Sequence, residues 1–306
     1  MFLTLLLSGF LTFVELNCEN LFDYHHDEGK DDTEYLPEAT RHWTKQRYWR
    51  KLNHIAQELL SCSDDGIPDL IALCEVENDS ALIDLTKRSL LRNAGYEYLM
   101  TNSPDLRGID VALLYSPYTF APIRSYSIRV TPVEHMRPTR DILYACGQTV
   151  SGDTLHVFVV HSPSRYGGEK ETRPYRQQVV KTLQQAMKDI SKDAKIIVLG
   201  DFNDYADSPS LKRLYESGLK NITADIKGRN GSPANYRYHG EWHSLDHVLV
   251  SPSLSTKVET SYINDASFLL EEEPEYGGKR PRRSFHGFRF QQGYSDHLPL
   301  VVHFVL

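Results

Sequence analysis

Six times along this chain a mostly apolar run meets a residue able to bind a metal or move a proton. Phe13-Val14-Glu15-Leu16 ends on Asn17, and Ile71-Ala72-Leu73-Cys74 ends on Glu75. Val157-Phe158-Val159-Val160 ends on His161, and Ile196-Ile197-Val198-Leu199-Gly200 ends on Asp201, with Asn203 just beyond. Asp246 opens the run His247 to Val250, and Asp296-His297 opens Leu298 to Val302. Short aliphatic runs of this kind read as buried strands. A strand is rigid, and its end opens on the rim of a sheet where loops gather. Polar strand ends from one chain can therefore converge on one pocket. Singly, each has a bland reading. Asp or Asn beside a strand is commonly a turn former, and a lone His there is commonly a hydrogen-bonded core residue.

The remaining pattern predicts the framework. Strands are expected at Leu11–Asn17, Pro68–Glu75, Asp110–Tyr115, Ile142–Val150, Leu155–Val160, Lys195–Leu199, His247–Val250 and Pro299–Val305. A helix capped by Thr44 runs to about Leu60, with Leu52, Ile55, Ala56, Leu59 and Leu60 on one face. A second starts near Asp79 or Ser80 and stops near Gly95. A third carries Val179, Leu183, Met187 and Ile190, and a fourth starts at Pro209 and stops at Gly218. The polar stretch Asp23 to Thr40 reads as a surface loop. Several strands follow one another directly, which points away from a single parallel sheet. The expected fold is an α/β four-layered sandwich, two mixed sheets face to face with helices on the outer faces. No repeat or long linker divides it, so residues 11–306 read as one catalytic domain.

The formal net charge of −7 argues against a surface-wide grip on DNA while leaving room for a local basic groove. An acidic balance also suits a site where carboxylates hold a metal. The four cysteines form no CxxC pair and give no zinc signal, and Cys74 and Cys146 read as small buried residues. Phe2 to Val14 is too short to span a bilayer. Residues 1–10 resemble the apolar core of a signal peptide, yet they lack a basic start and a small-residue cleavage site. Export and a cytoplasmic location both stay open, and a monomer is assumed.

Six segments in order carry a resemblance: Leu16 to Phe22, Leu73 to Asn78, Val160 to Ser164, Gly200-Asp201-Phe202-Asn203-Asp204, Ser244 to His247, and Tyr294-Ser295-Asp296-His297-Leu298-Pro299. The chain resembles the endonuclease/exonuclease/phosphatase superfamily, and in particular bacterial proteins described as predicted nucleases. Segments Asp23 to Arg50 and Lys279 to Gly293 look like additions to the compact nucleases. A hard cation suits the oxygen-rich donors, so Mg²⁺ or Mn²⁺ is the expected cofactor, with Glu75 its first ligand. The resemblance implies that Asn17 and Asp296 assist as metal ligands, directly or through water. His297 is the expected general base, oriented by Asp246. The resemblance further implies that Asp201 and Asn203 sit on the phosphate and that His161 donates to the phosphate or the leaving group. Arg140 reads either as a bidentate phosphate clamp or as a surface ion pair.

The expected function is metal-assisted hydrolysis of phosphodiester bonds, with nucleic acid the first substrate. Lys279-Arg280-Pro281-Arg282-Arg283, followed by Phe285, Phe288 and Phe290, favours that substrate, although a solvated loop would look the same. The alternatives are a phosphatase or phosphodiesterase acting on a small phosphorylated molecule or lipid head group, and an inactive binding module. Hydrolysis is predicted to need Mg²⁺ or Mn²⁺. In excess EDTA, activity should vanish and return with either ion; full activity in the chelator would contradict the reading.

Overall fold

The computed structural model describes residues 9–64 and 66–306. Most of the apolar segment at residues 1–10 thus lies outside the described residues. In chain order the strands are β1 (Phe10–Leu21), β2 (Leu70–Val76), β3 (Glu97–Met100), β4 (Asp110–Tyr115), β5 (Phe120–Ile128) and β6 (Ile142–Thr149). Next come β7 (Thr154–His161), β8 (Lys195–Asp201), β9 (Lys220–Asn221), β10 (Tyr236–Tyr238), β11 (Glu241–His243) and β12 (Asp246–Val250). The last are β13 (Val258–Ile263), β14 (Leu270–Glu272), β15 (Lys279–Pro281), β16 (Phe285–His286), β17 (Arg289–Phe290) and β18 (Leu300–Val305). The helices are α1 (Lys45–Leu60), α2 (Asp79–Ile83), α3 (Glu169–Met187), α4 (Pro209–Glu216) and α5 (Pro252–Ser255).

Two six-stranded mixed sheets form, in the orders β13-β18-β1-β2-β4-β3 and β5-β6-β7-β8-β12-β9. Their inner faces share a core that includes Phe13, Ala72, Val157, Leu199, Val248 and Val302. On the outer face of the first sheet, Leu52, Ile55 and Leu59 of α1 pack on Leu16 and Leu73. On the outer face of the second, Val179 and Leu183 of α3 and Leu211 and Leu214 of α4 pack on Phe158 and Val198. The expected four layers are present. Among the described residues no helix is long and apolar enough to cross a membrane.

All four cysteines are buried and free. The helix expected from Asp79 to Gly95 is broken. Regular α-helix stops at Ile83, one wider turn covers Asp84–Arg88, and Ser89 is extended before a short 3-10 turn at Leu90–Asn93. The loop from Asp23 to Thr40 is tied down: Tyr35 stacks on Phe22 at 4.2 Å between ring centres, and Asp32 is buried. β1 runs on past Asn17 to Leu21, with its register against β2 shifting between those residues.

Gly200 explains one motif position. Its φ is +143°, and a Cβ there would lie 1.9 Å from the carbonyl oxygen of Val160 on the neighbouring strand. The two strands that carry His161 and Asp201 can pair only because this residue has no side chain. Gly200→Ala is predicted to destabilise the protein by at least about 2 kcal/mol, a clash at a special backbone angle. A urea midpoint equal to that of the parent would contradict this.

Candidate active site

Side chains alternate faces along a strand, so residues two apart share a face. In β1, Leu11 and Phe13 point into the inter-sheet core, and Glu15 and Asn17 continue that face toward the strand end. In β7, Leu155, Val157 and Val159 lead to His161; in β8, Ile197 and Leu199 lead to Asp201; in β12, Val250 and Val248 lead back to Asp246. Register then sets these ends side by side. His161 is opposite Asp201, and Asp201 is opposite Asp246. The polar ends thus share the rim at one end of the apolar core.

Glu75 arrives differently. The β2–β4 register shifts between Cys74 and Val76, and Glu75 takes a φ of +63°. A bulge of this kind re-aims a side chain. Glu19, Asn20 and Asn203 also have φ between +48° and +58°. Left-handed backbone is uncommon for residues other than glycine, and its concentration at these strand ends marks a site whose geometry is held by its surroundings.

One cavity of about 680 Å³ is lined by all nine residues singled out in the sequence except Asp246, which lies behind His297. Asn17 donates from Nδ2 to Asp201 Oδ2 at 3.0 Å, and its Oδ1 accepts from the Glu19 amide. Asp201 also accepts from the Asn203 amide at 2.7 Å and from Asn203 Nδ2 at 3.1 Å. His161 Nε2 stands 3.7 Å from Asp201 and 3.8 Å from Glu75. His297 Nδ1 and Asp246 Oδ2 are 2.6 Å apart. This leaves His297 Nε2 facing Asp296, whose Oδ1 is 4.0 Å away.

Burial and charge set the protonation of the group. Burial draws His297 downward, but Asp246, followed by Asp296 and Asp201, overcomes it and carries the imidazole up to about 10. Burial also pushes Asp246 upward, yet its contact with His297 leaves it below its ordinary value. Asp201 is raised to about 7, chiefly by burial and then by Asp246. His161 is held well below its usual value by burial, then by Arg140 and Arg107, so its ring is neutral.

The donor set suits a hard cation. Glu75 Oε2 accepts from the Asn20 amide, while its Oε1 has only Arg107 and His161 nearby, at 3.7 Å and 3.8 Å, beyond hydrogen-bond length. Asp296 Oδ1 is similarly open. A second grouping, Asp201, Asp246 and His297, has one ligand atom of each within 4.8 Å of the others. There Asp246 and His297 are already bonded to each other, and Asp201 accepts from Asn17 and Asn203. Glu75 Oε1 and Asp296 Oδ1 carry no such commitment.

The model of one family, described as endonuclease/exonuclease/phosphatase, matches residues 12–305. The chain belongs to the endonuclease/exonuclease/phosphatase family. Members of the family hydrolyse phosphoric esters, and this chain is such an enzyme. A search of curated proteins finds no match. Among solved structures, a family member from Bacteroides thetaiotaomicron is similar with a TM-score of 0.66 at 17% identity, over 96% of this chain and 97% of that one. The catalytic domain of human nocturnin with bound sulfate is similar at 0.57 and 19%, over 97% and 95%. A mannosyl-6-phosphatase from Bacteroides thetaiotaomicron is similar at 0.59 and 17%, over 95% and 98%. At these identities the likeness speaks for the family fold alone.

Several residues of the site carry no sequence signal as family motifs. Asn235 is fully buried and donates from Nδ2 to Asp246, and its carbonyl accepts from the Leu298 amide. The Tyr236 ring lies 4.7 Å from the His297 ring. Pro233-Ala234-Asn235 reads only as a turn. Arg283, visible in the basic run, turns back to Asp296 at 3.0 Å and to Glu19 at 3.4 Å. Lys51, from the middle of α1, is buried against Ser284, Tyr294 and Glu19. Arg140 donates to Asp105 at 3.1 Å and to the Ser162 carbonyl at 2.7 Å, and it is 7% exposed. It is a buried brace at the cavity wall, which departs from the surface ion pair weighed in the sequence.

Asn235→Ala should free Asp246 to rotate, lowering kcat about 10-fold while the cation requirement stays as in the parent. Unchanged kcat would remove Asn235 from the positioning of the pair.

Proposed function

We propose that this protein hydrolyses a compact organic phosphate ester with Mg²⁺ or Mn²⁺, using residues of one catalytic unit spanning 11–306. One observation carries the reading. His297 is held at Nδ1 by a buried carboxylate, and its other nitrogen faces the cavity that Glu75, Asn17, Asp201, Asn203, His161 and Asp296 line.

Glu75, Asn17 and Asp296 would hold the cation, which would supply charge neutralisation at the phosphate and at the leaving oxygen. His297, in its neutral form, takes the proton of the attacking water at Nε2, because Nδ1 is committed to Asp246. Asp246 fixes the tautomer and stabilises the imidazolium that results. Asp201, held by the backbone and side-chain amides of Asn203, aligns the water, and Asn203 lies on the cavity wall beside the phosphate. Neutral His161 donates its N–H to the phosphate or the leaving oxygen.

The basic segment favours a compact substrate over a long polyanion. Arg280 is held by Glu271 at 2.8 Å and Glu273 at 2.7 Å, and Arg283 by Asp296 and Glu19. Phe285 is buried and packs on Phe290, 5.3 Å between ring centres. Of the run, Lys279 and Arg282 stay without an ion pair among the described residues. A nuclease is the second reading, favoured by the exposed ring of Phe288 with the Arg41 guanidinium 5.4 Å from its centre, a face on which a base can stack.

The test is turnover with Mg²⁺ or Mn²⁺ on sugar phosphates, an aryl monoester, a bis-aryl diester, RNA and plasmid DNA. Cation-dependent turnover of a small ester is expected to exceed that of nucleic acid. The reverse order would favour the nuclease, and no cation-dependent turnover of any of them would overturn the reading. His297→Ala should lower kcat by ~10²–10⁴-fold with cation affinity largely kept. Glu75→Gln should instead raise the cation concentration needed for half-maximal rate.

A further inference from the structure

The cavity is larger than one phosphate needs, and its lining is divided in charge. About 680 Å³ is the size of pockets that take whole organic ligands. Part of the lining is the carboxylate and imidazole set described above. Another part comes from two loops, one carrying Asp105 and Arg107, the other carrying His135, Arg137 and Arg140. On a chain of net charge −7, three guanidinium groups gathered on one cavity are a local exception.

The three differ in what they already hold. Arg140 is committed to Asp105 and Ser162. Arg107 has Glu75 at 3.7 Å and Asp105 at 4.0 Å, both too long for hydrogen bonds, and its side chain is 48% exposed. Arg137 is exposed and has no ion pair or side-chain hydrogen bond among the described residues. Each guanidinium carries five N–H donors in a planar fork that matches phosphate oxygens. Those of Arg107 and Arg137 are free for a ligand.

The loop that bears Arg137 is held in place. Met136 is buried against the α3 side of the second sheet. Tyr175 donates to the His135 carbonyl at 3.1 Å, and Gln178 Nε2 donates to the Thr131 carbonyl at 2.9 Å, both from α3. Arg129 pairs with Asp141 at 2.9 Å across the base of the loop. Such anchoring keeps the ordering cost of binding low.

We propose that Arg107 and Arg137 form a second anion subsite in the catalytic cavity, so that the preferred substrate carries a further phosphate group beside the scissile one. This rests on the phosphoesterase reading and names the substrate class within it. The scissile phosphate lies at His297 and Glu75. The second phosphate is gripped by the two free guanidinium groups and is not cleaved.

The test pairs probes that differ by one phosphate. For turnover, thymidine 5′-(4-nitrophenyl phosphate) is compared with the same ester bearing a 3′-phosphate. For binding, calorimetry compares thymidine 5′-monophosphate with thymidine 3′,5′-bisphosphate, and glucose 6-phosphate with glucose 1,6-bisphosphate. A charge-assisted contact of this kind should favour the doubly phosphorylated member by about 10-fold or more. Arg137→Gln should bring that ratio close to one, and Lys181→Gln, on the exposed side of α3, should leave it as in the parent. Equal affinity of the parent for both members of each binding pair would overturn the subsite. So would a preference that survives in Arg137→Gln. If neither ester is turned over, the hydrolase reading of these substrates fails, while the binding arm still decides the subsite.

Discussion

Glu15, Asp201, Asp246 and His297 are buried together at the end of the inter-sheet core, each no more than 6% exposed. Water is excluded there, so three carboxylates cannot all stay ionised beside one imidazolium. The charges are therefore shared out. Asp246 keeps its charge through its 2.6 Å contact with His297. Glu15 is driven well above its usual range, first by burial, then by Asp246 and Asp201. Asp201 is left in between, raised to about 7. A site whose neighbouring groups are held in different protonation states is equipped for proton transfer. A cation held beside Asp296 would weaken part of the pull that keeps His297 protonated, and so would tie cation binding to readiness of the base.

The same end of the core explains which parts of the fold the sequence disclosed. The eight expected strands are the eight interior strands: β18, β1, β2 and β4 of one sheet, and β6, β7, β8 and β12 of the other. Each is flanked on both sides and covered on both faces, so each reads as an aliphatic run. The four edge strands, β3, β5, β9 and β13, were not visible. β5 shows why. It contains Pro122 and an exposed stretch through Arg124, Ser125 and Tyr126, residues that suit an edge and give no buried pattern.

The site divides along the same line. Asn17, His161, Asp201 and Asp246 were legible because each adjoins a buried aliphatic run, and period-two alternation delivers all of them to one face. Glu75 lay at a strand end too, but its orientation depends on a bulge that no local pattern announces. Asn235, Arg107 and Arg283 come from irregular segments or short hairpins, where nothing but the tertiary fold brings them to the cavity. Within the basic run Lys279 to Arg283, Glu271 and Glu273 pair with Arg280, and Glu19 and Asp296 pair with Arg283. Charge read along a sequence does not show which charges the fold has already paired.

The proposed function divides the cavity: Glu75 and Asp296 would hold the cation, and His297 with Asp246 would be kept apart as the base. An anomalous difference map from crystals soaked in Mn²⁺ tests this directly. The expected peak lies at coordination distance from the Glu75 carboxylate, on the side of Asp296, with the His297–Asp246 hydrogen bond intact. A peak centred on Asp201, Asp246 and His297, with that bond broken, would contradict it.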